Sequence, residues 1–250
     1  MGKLKDLVAL VTGSGQGLGF EMARAFADEG AKVVLTGLDQ AQIDGKAQIL
    51  RAQGAEVLTI AGDVRRRATA QDTVARTLAQ FGHLDILVNN AQWLSLPVPF
   101  IEQDDEHIEQ MVRTGLFGTI YFMQAAHAAL AKRGGAVINL ASGQGVIGGI
   151  GAASYAATKE AIRGLSRVAA REWGKDKIRV NVICPAASSQ SFRDWFKDKP
   201  DELAQLLSQV PLGRVADPYE DMGRLAVYLA SPECFLTGQT VFLDGGQFMP

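Results

Sequence analysis

Leu7-Val8-Ala9-Leu10-Val11 runs directly into Thr12-Gly13-Ser14-Gly15-Gln16-Gly17-Leu18-Gly19. The first five residues read as a short, fully apolar strand. The glycines that follow can take backbone angles closed to other residues, and they let a phosphate approach the main chain. From Leu18 to Glu29 the apolar positions recur at helical spacing. A helix that starts here presents unpaired N–H groups and a positive dipole end. Glycine spacing alone is a weak signal. Between the first strand and the first helix of a repeating pattern it points to a dinucleotide site.

That pattern continues to the end of the chain. Apolar runs at Leu7–Val11, Val33–Thr36, Glu56–Ile60, Leu84–Asn89, Ala136–Ala141, Ile178–Ile183 and Thr240–Leu243 read as strands buried on both faces. Helix-length stretches lie between them, at Leu18–Glu29, Gln40–Gln53, Thr69–Phe81, Asp104–Lys132, Ala152–Trp173 and Pro218–Ala230. Gly30, Gly54, Gly82 and Gly174 end helices as left-handed caps do. The alternation predicts an α/β fold, a parallel doubly wound sheet with helices on both faces. Without a linker or repeat, residues 1–250 read as one domain. Only Pro185 to Asp217 breaks the rhythm, and an excursion this long predicts a substrate loop or lid at about 186–216.

Composition narrows the function. With 47% hydrophobic and 21% charged residues in 250, the chain is an ordinary globular one, long enough for a large core. A net charge of −2 gives no basic surface for nucleic acid or an anionic membrane. No apolar run approaches the roughly 18 residues that span a bilayer, and the first residues hold no secretory core. Cys184 and Cys234, the two cysteines, stand apart in apolar segments and read as free buried thiols. The expectation is a cytoplasmic protein. His83, His107 and His127 share no ligand spacing, so no metal is expected.

Tyr155 and Lys159 are four residues apart in a helical stretch and so share a face, and Ser142 ends the fifth strand at the sheet edge where such folds bind ligands. With Thr12, Gly13, Gly17 and Gly19, these residues resemble the short-chain dehydrogenase/reductase family. The resemblance covers nearly the whole chain. Gly62-Asp63-Val64, Asn89-Asn90-Ala91, Gly238-Gln239 and Asp244-Gly245-Gly246 follow in the same order. It implies a seven-stranded sheet ordered 3-2-1-4-5-6-7, with NAD or NADP across the strand carboxyl ends. It implies that Gly13, Ser14, Gly15, Gln16, Gly17, Leu18 and Gly19 form the phosphate loop. Leu38 and Asp39 would lie at the adenosine ribose, Asp63 and Val64 beside the adenine, and Asn90 and Ala91 near the other ribose. Pro185 and Ser188 would complete the cofactor surface. Gln92, Trp93, Ser142, Tyr155 and Gln190 would face a small-molecule alcohol or carbonyl substrate. Association into homotetramers or homodimers through the two long helices is implied in the same way.

The resemblance assigns Tyr155 as general acid/base, Lys159 as the group that lowers its pKa and holds the nicotinamide ribose, and Ser142 as the group that positions the substrate oxygen. Lowering a phenol from ~10 by roughly three units takes about 4 kcal/mol. An ammonium about 5 Å away supplies roughly 3 kcal/mol at an effective dielectric of 20. Hydride transfer between the nicotinamide and a carbon bearing oxygen, with the proton through Tyr155, is the implied reaction. Cofactor choice turns on Thr36-Gly37-Leu38-Asp39. A carboxylate there binds a ribose hydroxyl, and a basic residue accommodates a 2′-phosphate. The family's acidic position holds Gly37 and its basic positions hold Leu38 and Gln16. The missing basic groups and the nearby Asp39 favour NAD. Arg65-Arg66-Arg67 reads as a solvated charge run.

Four positions depart from the family pattern. Gln92 stands where the family keeps glycine, and Gly115 where it keeps a catalytic asparagine. Ala186 replaces a glycine, and Gln190 replaces a threonine. Two readings follow: an oxidoreductase tuned to a particular substrate, or a dinucleotide-binding regulatory or low-activity relative that has lost efficient turnover. An asparagine at 115 is expected to restore a water relay, unless Gly115 makes room for a neighbouring side chain. A non-redox reaction on the same fold is disfavoured by the intact glycine loop and lysine.

Overall fold

A computed structural model describes residues 2–95 and 97–249. In chain order the elements are β1 (Val8–Thr12), α1 (Gly17–Asp28), β2 (Lys32–Gly37), α2 (Gln40–Ala52), β3 (Val57–Ala61), α3 (Arg67–Phe81) and β4 (Ile86–Asn89). Then come α4 (Asp105–Val112), α5 (Gly118–Leu130), β5 (Gly135–Leu140), α6 (Gly143–Ile147), α7 (Ala153–Trp173) and β6 (Ile178–Pro185). The chain closes with α8 (Gln190–Phe196), α9 (Pro200–Ser208), α10 (Arg224–Ala230) and β7 (Thr240–Leu243).

The seven strands form one sheet in the order 3-2-1-4-5-6-7, every pair parallel. Parallel strands need crossovers, and the crossing helices cover both faces of the sheet. On one face Phe20, Met22 and Phe26 of α1 pack with Ile43 and Leu50 of α2 over Val11 and Leu35. On the other, Phe122, Met123 and Leu130 of α5 pack with Val74 of α3 over Leu10 and Leu87. β1 pairs with both β2 and β4. The winding reverses there, and the carboxyl ends of β1 and β4 open a crevice, the place where open α/β sheets take ligands.

The elements depart from the expected ones at several places. The helix expected over Asp104–Lys132 breaks at a π-turn, Arg113–Phe117, which has Gly115 at its centre. Gly174 is no left-handed cap: its φ is −58°, the chain runs on through a 3-10 turn, and Lys177 takes the left-handed conformation at φ 59°. The stretch from Pro218 also begins as a π-turn, Pro218–Gly223, before α10. The excursion after β6 holds α8 and α9, and its two ends meet where Ala187 bridges Ala216 in parallel.

Candidate active site

The glycine loop is clamped from beneath by β4. Asn90 Nδ2 donates to the Thr12 and Gly13 carbonyls, both at 3.0 Å. Thr12 Oγ1 accepts from the Asn90 and Ala91 N–H groups at 3.0 and 3.1 Å. The approach is close: a Cβ on Gly13, where φ is +63°, would lie 2.8 Å from Ala91 Cα, and one on Gly19 would lie 2.5 Å from Asn90 Nδ2. Ser14 is fully buried, donates to the Val11 carbonyl at 2.9 Å and accepts from the Thr36 N–H at 2.9 Å. Its hydroxyl thus ties β1 to β2. Asn90 and Ser14 build the loop and spend their polar atoms on the protein. Gln16 precedes α1 without capping it, and the first turn of α1 carries no acidic residue. Its N–H groups are left for an anion, so an uncapped helix start beneath a glycine cradle fits a dinucleotide pyrophosphate.

At the adenosine end Leu38 is 75% exposed. Asp39 caps α2, its Oδ1 accepting from the Ala41 N–H at 2.8 Å and more weakly from Gln42. One carboxylate oxygen is thereby occupied within the protein, while its charge remains beside the crevice. Gly37 has little spare room, since a Cβ there would lie 3.1 Å from Ile43 Cγ2. The Asp63 carboxylate is gripped by the Arg65 guanidinium through contacts of 2.7 to 3.0 Å, which hold it below the usual carboxylate range. Arg65 also donates to Gln110 Oε1 at 2.6 Å, and Arg67 to Gln124 Oε1 at 2.6 Å. Two of the three arginines expected as a solvated run are therefore pinned to partners. Val64 is buried under the π-turn side of α5, beside Gly118.

Ser142, Tyr155 and Lys159 come together beyond β5. Ser142 is the N-cap of α6, with Oγ accepting from the Gln144 N–H at 3.2 Å. Lys159 is buried on α7, donates to the Leu140 carbonyl at 3.0 Å, and its Nζ lies 5.4 Å from the centre of the Tyr155 ring. Burial pushes the Tyr155 phenol up from its ordinary value, and a hydrogen bond with Ser142 pulls it partway back. Burial likewise pushes the Lys159 ammonium down to about 8. In the chain by itself burial therefore leaves the phenol above its ordinary value, the opposite of the lowering expected from Lys159. Positive charge brought into the site would act against that burial.

A cavity of about 260 Å³ opens beside Ser142 and Tyr155, walled by His107, Met111, Gln144 and Pro97. Sequence reasoning missed His107 and Met111 as wall residues. Their spacing of four on α4, which puts both on one face, is the signal that was there to find. Trp93, expected to face the substrate, does not line the cavity; its ring stands edge-on to His107 of the wall, centroids 5.3 Å apart. Gln92 lies behind the wall: its Nε2 reaches the Met111 carbonyl at 3.2 Å, Met111 Sδ at 3.1 Å and Thr114 Oγ1 at 3.2 Å. Gln190 is placed elsewhere. Its carboxamide is tied to Asp194 at 2.7 Å and Arg193 at 2.9 Å, and it lines a separate cavity of about 480 Å³ with Gly15, Gln16 and Gly17. Pro185 ends β6, and the Ser188 N–H donates to the Ala216 carbonyl at 2.9 Å where the excursion begins. A Cβ on Gly115 would lie 2.2 Å from Gln92 Oε1, so Gly115 makes room for a neighbouring side chain. An asparagine there would collide with Gln92, which removes the expectation that it would simply restore a relay.

Comparison with known proteins agrees with this geometry. The family model described as Enoyl-(Acyl carrier protein) reductase matches residues 13–247. The chain is 41% identical over 254 residues to 12alpha-hydroxysteroid dehydrogenase of Clostridium sp., with 98% of each chain covered. It is 34% identical over 249 residues to the A-factor type gamma-butyrolactone 1'-reductase (1S-forming) of Streptomyces virginiae, covering 98% of this chain and 96% of that one. A solved structure from Sinorhizobium meliloti 1021, assigned to the short-chain alcohol dehydrogenases, superposes with a TM-score of 0.92 at 31% identity, covering 98% of this chain and 97% of that one. The chain belongs to the short-chain dehydrogenase/reductase family. Within that family it is an oxidoreductase of the alcohol and ketone group. Among the described residues no helix is long and apolar enough to cross a membrane.

Proposed function

We propose that this protein interconverts a secondary alcohol and a ketone with a nicotinamide dinucleotide, NAD in preference to NADP, using Tyr155 as general acid/base. The observation that carries this reading is the buried Lys159 ammonium 5.4 Å from the Tyr155 ring, with Ser142 beside it at the mouth of a cavity. When bound, the nicotinamide supplies or accepts the hydride at the carbon bearing oxygen. Tyr155 Oη gives a proton to the carbonyl oxygen in reduction and takes it back in oxidation. Ser142 Oγ holds that oxygen in line. Lys159 orients the nicotinamide ribose and keeps cationic charge under the phenol. Leu38 in place of a basic residue, with the Asp39 charge at the crevice, supports NAD over a 2′-phosphate.

The substrate is a compact, largely apolar, ring-bearing molecule. Met111 and Pro97 supply apolar wall, and His107 and Gln144 supply a few polar groups. The 41% identity to a hydroxysteroid dehydrogenase supports the same class. Residues 1–250 act as one domain, with α8 and α9 as the substrate lid. Exposed Phe117 and Val168, near the long helices, support assembly into a dimer or tetramer. Two free buried cysteines suit a reducing, cytoplasmic setting. The test is a panel of ring and open-chain secondary alcohols and ketones, assayed by nicotinamide absorbance with both dinucleotides. Tyr155→Phe should abolish turnover of whichever substrate is accepted and leave dinucleotide binding nearly intact. Near-normal rates in that variant would sink the mechanism.

A further inference from the structure

Gln92 has no place on the inner surface of the substrate cavity, yet its carboxamide meets several polar groups behind it. Nε2 lies within reach of the Trp93 carbonyl at 3.0 Å, the Met111 carbonyl at 3.2 Å, Met111 Sδ at 3.1 Å and Thr114 Oγ1 at 3.2 Å. Thr114 Oγ1 in turn accepts from the Trp93 N–H at 3.1 Å. The other end of the carboxamide is different. Oε1 is buried with no partner, pressed against the π-turn. A Cβ on Gly115 would lie 2.2 Å from that oxygen, 3.1 Å from Gln92 Cδ and 2.6 Å from Thr158 Cγ2.

These contacts describe a plug and its socket. The π-turn at Arg113–Phe117 widens the helix, and the bare Gly115 leaves a hollow on its surface. The Gln92 carboxamide fills that hollow at the cost of a buried, unpaired oxygen. A simpler side chain would avoid the cost, and an apolar plug would fill the volume equally well. What the amide adds is its donor end, which fixes the Met111 thioether and the Trp93 backbone. Met111 is 3% exposed and forms a wall of the cavity, and Trp93 bears on His107 of the same wall.

We propose that Gln92 is a specificity-determining positioning residue, whose carboxamide, seated against Gly115, fixes Met111 and Trp93 and so sets the shape of the substrate wall. The inference rests on the reading of that cavity as the substrate site. Gln92 acts through Met111 and not by touching the reacting atoms. Its loss therefore changes which substrates fit and how tightly they bind, more than it changes the chemical step.

The experiment combines one conservative variant with a double-variant cycle. Gln92→Met keeps the volume and removes every donated contact. Its KM for the preferred ring substrate should rise by about fivefold or more, with kcat within about twofold. The order of kcat/KM between ring and open-chain substrates should flatten, a change that a merely structural role would not produce. Gly115→Ala should expel the carboxamide and lower the melting temperature. The same change in a Gln92→Gly background should cost distinctly less, though not nothing, because Thr158 Cγ2 remains. Unchanged KM and substrate order in Gln92→Met would overturn the proposal. So would equal effects of Gly115→Ala in the two backgrounds, read from melting temperatures alone. If the unmodified protein turns over no panel member with either dinucleotide, the proposed function fails. The melting cycle still decides the Gln92–Gly115 pair.

Discussion

Replacing Lys159 with methionine should make the ligand-free protein more stable while destroying its activity. Burial holds the ammonium at about 8 against an ordinary 10.5. At ~1.4 kcal/mol per tenfold, that fall is a penalty of roughly 3 kcal/mol on the charged form. Methionine fills similar volume without the charge. It forfeits the 3.0 Å bond to the Leu140 carbonyl, a net loss of about 1 kcal/mol. The balance is a gain of about 2 kcal/mol, or roughly 4–8 °C in Tm for a domain of this size. The sign with pH follows from the direction of the shift. Below about 8 the lysine is charged in both folded and unfolded chains, and the penalty is fully present. As pH rises from there towards 10.5 the folded form sheds its proton first, and the stability of the unmodified protein recovers. The Tm advantage of Lys159→Met should therefore be largest near pH 7 and shrink towards pH 10. Differential scanning calorimetry across that range is the assay. A variant that melts at or below the unmodified protein at pH 7, or an advantage independent of pH, would refute the reasoning.

Three further outcomes are expected. Gly37→Asp should widen the preference for NAD(H) over NADP(H) by calorimetry and cost about 1 kcal/mol of stability, because its Cβ lies 3.1 Å from the buried Ile43; tighter NADP(H) binding by the unmodified protein would overturn the cofactor assignment. Asp85 is 5% exposed and accepts from the Val8 N–H at 2.8 Å, with His83 at 3.3 Å and Arg133 at 3.4 Å. Asp85→Ala should lower unfolding free energy by about 2–4 kcal/mol, and a urea midpoint unchanged from the unmodified protein would contradict that. Burial pushes the Cys184 thiol up to about 11, so iodoacetamide at pH 8 should leave Cys184 unlabelled in the native protein, and mass spectrometry showing rapid labelling would count against it.

The strands were legible because both faces of a parallel sheet are covered, which leaves uninterrupted runs such as Val8–Thr12. The gathering of Ser142, Tyr155 and Lys159 was legible because Tyr155 and Lys159 share a helical face and Ser142 ends a strand. Whether an individual polar atom is free was not legible. Ser14, Asp39, Asp63 and Asn90 each carry the residue type a cofactor site wants, and each spends polar atoms on a protein partner instead. At Ser14, Asp39 and Asp63 those partners lie two or three residues away and are decided by local turn and cap geometry, and at Asn90 by contact with the distant glycine loop. The break in the helix at Gly115 was hidden as well: Gly115 packs against Gln92, a residue 23 positions away that no periodicity links to it. The short α6 escaped because Gly143-Gln144-Gly145-Val146-Ile147 has no apolar repeat, and the Ser142 cap starts it.

The pairing of Ala187 with Ala216 has a consequence for how such an enzyme diverges. The Ala216 N–H donates to the Ala186 carbonyl at 2.8 Å and the Ser188 N–H to the Ala216 carbonyl at 2.9 Å, so residues 188–215 leave and rejoin the body at one neck, with a second hold where the Leu212 N–H donates to the Gly245 carbonyl at 3.1 Å. What lies between the neck and that hold can lengthen, shorten or be exchanged without moving a strand. Doubling a flexible loop costs only about 0.6 kcal/mol in closure entropy. Selection for a new substrate can therefore rewrite this cassette while the sheet and its carboxyl edge are inherited intact.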